Sequence, residues 1–88
     1  MDIIKRAFAG TMESSDVYVE IEPAQGLQIQ VESVVYAQFG EAIRLAAEDV
    51  LQELGIKNAA LRLVDRGALD CVIRARVETA ALRGKGEA

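Results

Sequence analysis

Eighty-eight residues make one small domain, below the common domain size of about 100 to 150. Hydrophobic residues form 51% of the chain, too many for disorder. The net charge of −4 repels phosphate backbones and disfavours a sequence-independent grip on nucleic acid. One Cys excludes an intrachain disulfide; with no His, a zinc site is discarded and the commonest general base is missing. A self-contained enzyme is therefore disfavoured. No run approaches the ~18 apolar residues of a membrane span, and Lys5 and Arg6 interrupt any signal-like stretch. The expectation is a cytoplasmic protein, with no membrane or metal partner.

Residues 1–16 show no sustained period and are expected to form a loosely held N-terminal segment. From Val17 the pattern alternates strictly: Val17, Val19 and Ile21 against Tyr18, Glu20 and Glu22, a half-buried strand. Pro23 to Gly26 is a turn candidate. Leu27, Ile29 and Val31 then alternate with Gln28, Gln30 and Glu32, so the two runs read as a β-hairpin. Ser33 is a candidate helix cap. Phe39, Ile43, Ala46 or Ala47, Val50 and Leu54 then recur at spacings of three and four. Gly55 supplies a left-handed stop, so the spacing predicts a helix over about 34–54.

Ala59, Leu61 and Leu63 alternate with Ala60, Arg62 and Val64 in a third strand, and Asp65-Arg66-Gly67 forms a turn. Residues 69–77 fit both periods. Leu69, Cys71, Ile73, Ala75 and Val77 alternate as in a strand, while Leu69, Val72, Ile73, Val77 and Ala80 fit a helical stripe. The alternation is cleaner and predicts a fourth strand, with a helical turn over 78–83 and a frayed tail over 84–88. The expected fold is α+β, one domain over 1–88. It is a two-layer β-β-α-β-β arrangement with one main helix on one face of an antiparallel sheet. Leu61, Leu63, Leu69 and Ile73 are expected to pack against Phe39, Ile43 and Val50.

Few residues invite chemistry. Cys71, in phase with Leu69 and Ile73, reads as a small buried hydrophobe. Asp49 and Glu53 are four apart near Glu48 and read as a solvated helix face. Residues 58–77 hold four Arg against two Asp, and Arg62, Arg74 and Arg76 would share the outer sheet face. That face is either solvated or a dock for phosphates or an acidic partner. Ser14 and Ser15 have no activating His and cannot be conventional nucleophiles, but an exposed hydroxyl on a flexible segment can be a passive attachment point.

Three blocks carry a resemblance. Ala9-Gly10-Thr11-Met12-Glu13-Ser14-Ser15-Asp16-Val17 resembles the AGTLESSDV-type motif of the citrate lyase acyl carrier protein family, the gamma subunit of that enzyme. Residues Gln38 to Arg44 resemble its QFGDAIR, and Asp65 to Arg76 its DKGALDCxxRAR. The blocks keep order and spacing and cover roughly residues 7–78. Met12 replaces a Leu, and the tail is short.

The resemblance implies a carrier rather than a catalyst. In that family the first serine of the SSD motif, here Ser14, holds a 2'-(5''-phosphoribosyl)-3'-dephospho-CoA arm through a phosphodiester. The arm's thiol is acetylated. A transferase (alpha) subunit exchanges acetate for citrate, a lyase (beta) subunit releases oxaloacetate, and a prosthetic-group transferase attaches the arm. When not inside a partner, the arm is expected to rest transiently near some of Arg62, Arg66, Arg74 and Arg76. Rival readings are the carrier of malonate decarboxylase, the carrier of citramalate lyase and a non-covalent interaction domain.

Overall fold

The computed structural model describes residues 2–86. Four strands and two helices follow in the order β1 (Ala7–Gly10), β2 (Val17–Glu22), β3 (Leu27–Ser33), α1 (Tyr36–Glu53), β4 (Ala59–Asp65) and α2 (Asp70–Gly84). The four strands form one sheet in the order β1-β2-β4-β3. β1 pairs antiparallel with β2, and β2 antiparallel with β4, whereas β3 and β4 run parallel. Both helices lie on one face, α1 over β3 and α2 over β1 and β2, and they pack against each other. The α+β, two-layer class holds. Among the described residues no helix is long and apolar enough to cross a membrane.

The alternating residues form the core as their period requires. Val17, Val19 and Ile21 of β2 and Ala59, Leu61 and Leu63 of β4 are buried. They meet Ile43, Ala46, Ala47, Val50 and Leu51 of α1 and Ile73, Val77, Ala80 and Ala81 of α2. Gly55 has φ +71° just past α1, the left-handed conformation that ends a helix at small cost for glycine. Ser33 does not cap α1. Val35 occupies that place, and the Ser33 hydroxyl takes the Val35 N–H at 3.1 Å instead.

The structure corrects the expected topology in three places. β2 and β3 are not a hairpin, because β4 inserts between them. Residues 23–26 carry the chain past that gap, and α1 serves as the crossover that returns it parallel to β3. The insertion places β4, with Ala59, Leu61 and Leu63 buried, between two strands. The Gln- and Glu-bearing β3 is left on an edge, where polar residues discourage further pairing.

Residues 70–84 form a helix rather than a strand. Only one of the two competing patterns has its apolar members buried. Ile73, Val77, Ala80, Ala81 and Gly84 make a helical stripe against the sheet, while Cys71 and Ala75, found only in the alternating set, are exposed, as is Leu69, which both patterns shared. Arg74 bonds Asp70 at 2.7 Å one turn earlier, which favours the helix further. The small residues let α2 sit close: a Cβ on Gly84 would lie 3.1 Å from Ile3 and 3.2 Å from Ile21.

The N-terminal segment is not loose throughout. Ile3 is buried, Ala7 and Ala9 point into the core from β1, and Asp2 accepts hydrogen bonds from Lys57 and Asn58. At the other end α2 reaches Gly84, whose carbonyl accepts the Ile4 and Lys5 N–H groups, and the Lys85 and Gly86 N–H groups bond back to the Ala81 and Arg83 carbonyls; of the expected tail, residues 87 and 88 lie outside the described residues.

Of the expected core, Leu61, Leu63, Ile43, Val50 and Ile73 are buried, whereas Phe39 and Leu69 are exposed. Replacing Ile43 by Ala should cost about 2–5 kcal/mol, as large-to-small changes in packed interiors do, and lower the denaturation midpoint strongly. The same change at Phe39 should leave the midpoint nearly unmoved. Equal shifts at both positions would contradict this packing.

Candidate functional site

The loop over residues 11–16 joins β1 to β2 and carries both serines. It leaves β1 at Gly10, whose φ is +87°. A Cβ there would collide with the Val17 carbonyl oxygen, so only glycine lets the hairpin close at this point. Asp16 organises the loop. Its carboxylate accepts the Thr11 hydroxyl at 2.7 Å, the Thr11 N–H at 3.1 Å and the Val17 N–H at 2.8 Å. It also accepts both arms of the Arg76 guanidinium from α2, at 3.1 and 3.2 Å. The Thr11 hydroxyl in turn accepts the Glu13 N–H at 3.2 Å.

The Asp16 N–H donates to the Glu13 carbonyl at 3.1 Å, closing a four-residue turn with Ser14 and Ser15 in the middle. Ser15 stands at φ +66°, a left-handed conformation that it holds at some strain. Its N–H donates to the Arg66 carbonyl at 2.8 Å, and the Arg66 N–H donates to the Asp16 carbonyl at 2.9 Å. The turn is thereby fastened to the end of β4. Ser14 is exposed at its tip, and its hydroxyl bonds to no other described residue. A hydroxyl presented in this way, exposed and unbonded at the tip of a held turn, fits a phosphodiester-linked group.

Two further loops meet at this end of the sheet. Asp65 is buried at the end of β4. Its carboxylate accepts the Ser33 hydroxyl at 2.7 Å and the Ala68 N–H at 2.9 Å, and its carbonyl accepts the Val34 N–H at 3.3 Å. One carboxylate thus holds the 33–35 and 65–68 loops together. Between the starts of α1 and α2 they leave a cleft of about 400 Å³ lined by apolar side chains, Phe39, Ile43, Leu69 and Ile73 among them, and also by Asp65 and Asp70.

The expected arginine face does not form. Arg62 lies on the outer sheet face, bonded to Glu32 at 3.0 Å and 3.7 Å from Glu20. Arg74 bridges Asp70 and Asp49 between the two helices, which accounts for Asp49. Arg76 belongs to Asp16. Arg66 alone of the four is exposed with no carboxylate partner among the described residues. Cys71 is an exposed free thiol, not a buried hydrophobe, because residue 71 sits in the first turn of a helix whose buried stripe starts at Ile73. Glu53 is exposed at the end of α1.

A family profile described as malonate decarboxylase delta subunit (MdcD) matches residues 4–84. A citrate lyase acyl carrier protein of Haemophilus influenzae is 51% identical over 99% of this chain and 92% of its own. One of Escherichia fergusonii is 49% identical over 94% and 88%. The chain belongs to the citrate lyase acyl carrier protein family. It is a non-catalytic acyl carrier. Its fold matches a chain of the Pseudomonas malonate decarboxylase hetero-tetramer in complex with malonate, with a TM-score of 0.75 and 28% identity over 86% of this chain and 79% of that one.

The ring of donors around Asp16 has a consequence for pH. The Thr11 hydroxyl first, then the Val17 N–H and Arg76, hold this carboxyl down to about 2, below its ordinary 3.8. Because the folded value is the lower one, the ionised group stabilises the fold above the ordinary carboxylate range, and that contribution is lost as pH falls from about 4 toward 2. The Asp16 side-chain carbon signal should titrate with a midpoint near 2. A midpoint near 3.8 would mean the network does not persist in solution.

Proposed function

We propose that this chain is the acyl carrier subunit of a citrate lyase, carrying a phosphoribosyl-dephospho-CoA arm on Ser14. The observation that carries the reading is the exposed, unbonded Ser14 hydroxyl at the tip of a turn held by Asp16, within the motif that resembles the family's attachment sequence. When bound, the arm supplies the thiol on which acyl groups travel as thioesters. The protein's own residues orient that tether. Asp16, Thr11 and Arg76 fix the direction in which Ser14 leaves the surface, and the bonds between the turn and Arg66 keep it rigid at its root.

A tether rooted in this way confines the thiol to a small volume, so two active sites within its reach meet it at high effective concentration. The partners are then a transferase (alpha) and a lyase (beta) subunit, with a separate enzyme to attach the arm, and the location is cytoplasmic. A malonate decarboxylase carrier is the second reading, favoured by the profile description and the hetero-tetramer likeness. The 51% identity to a citrate lyase carrier, against 28% for the malonate decarboxylase chain, favours citrate.

Co-expression with a citrate lyase arm-transferring enzyme should add the mass of one arm. Ser14→Ala should abolish the gain, whereas Ser15→Gly, which suits the left-handed backbone at 15, should keep it. A gain that survives Ser14→Ala would overturn the assignment.

A further inference from the structure

We infer, on the reading that Ser14 carries the arm, that the cleft between the starts of α1 and α2 is where the arm's thiol-bearing end rests between encounters, with Arg66 holding a phosphate near its root. Several independent features converge on this place. Large apolar side chains left exposed are concentrated around it: of nine such residues among those described, Met12, Val34, Tyr36, Phe39 and Leu69 lie in or beside the three loops at the Ser14 end of the sheet. Leu69 is 70% exposed and Phe39 53%, and both line the cleft, so its walls present apolar surface with no partner in this chain. Its volume of about 400 Å³ lies within the usual range of small-ligand sites.

The cleft is also within reach of the attachment point. The Ser15 N–H bonds the Arg66 carbonyl, and Leu69 comes three residues after Arg66, at most about 11 Å of chain even if extended. Charge separates the two halves of the site. The arm begins with phosphates and ends in an amide-linked chain with a thiol. Correspondingly, the one arginine of the 62–76 segment without a carboxylate partner among the described residues, Arg66, is joined through its backbone to Ser15, the neighbour of Ser14, and the apolar cleft lies beyond it. The remaining arginines of that segment are committed to Glu32, Asp70, Asp49 and Asp16 and have no comparable freedom. The apolar walls are open to solvent on one side, so the contact shields a thioester from water and still releases it to a competing partner.

The test uses the arm-loaded protein with Cys71→Ser, which leaves the arm thiol as the sole thiol, and with loading on Ser14 first verified by peptide mass. The readout is the rate at which the thiol reacts with a neutral disulfide reagent. Leu69→Ser and Phe39→Ser should each raise the rate roughly two- to fivefold, the scale of surface contacts of modest strength. Arg66→Gln should raise it at low salt and not at high salt. Leu45→Ser, an equally exposed change elsewhere on α1, should leave it unmoved. Equal rates in all variants would overturn the inference while leaving Ser14 as the attachment point, and assign the apolar walls to a partner subunit. A rise with Leu45→Ser as large as with Leu69→Ser would overturn it as well. Absence of the arm at the mass step would instead refute the reading on which the inference rests.

Discussion

β4 in the middle of the sheet is the constraint on which the other elements depend. It is paired with β2 over residues 60–65 on one side and with β3 over residues 59–65 on the other. Its C-terminal end therefore emerges between the β1–β2 loop and the β3–α1 loop. Asp65, still in phase with the inward-pointing Ala59, Leu61 and Leu63, is carried below the surface at that end. A buried carboxylate must find donors, and the Ser33 hydroxyl and the Ala68 N–H supply them. The next residue, Arg66, closes the ladder onto the Ser14 turn. Without this central strand the loops would have no common anchor.

Asp16 does on one side of that junction what Asp65 does on the other. It gathers donors from its own loop and from α2, which is far away in sequence, and so couples the position of Ser14 to the packing of a helix. The motif around the serines is in this sense structural as much as chemical. The first serine takes the tip, the second accepts a left-handed backbone, and the aspartate holds both in place.

Much of this was legible in the sequence. Strict alternation located β2, β3 and β4, and the three-and-four spacing with Gly55 located α1. The resemblance around Glu13-Ser14-Ser15-Asp16 singled out a serine that lies exposed at a turn. Strand order was not legible, since alternation specifies which face is buried but not which neighbour pairs. α2 was misjudged because Cys71 and Ala75 are small enough to mimic an inward face while lying outside. β1 was invisible because its inward residues, Ala7 and Ala9, carry little hydrophobic signal. Asp65 could have been found: it continues the two-residue phase of a buried face, the pattern of a polar group that needs partners. The roles of Asp16 and Arg76 could not, because 60 residues separate them.

The central claim is that the tip of the Asp16-held turn is the root of a covalent arm. The most direct measurement is fragmentation mass spectrometry of the peptide spanning residues 7–44, released by cleavage after Arg6 and Arg44, from protein isolated from its own host. The account predicts a single phosphodiester-linked adduct whose fragments place it on Ser14. A peptide of unmodified mass, or an adduct placed on Ser15, Thr11 or Ser33, would contradict it.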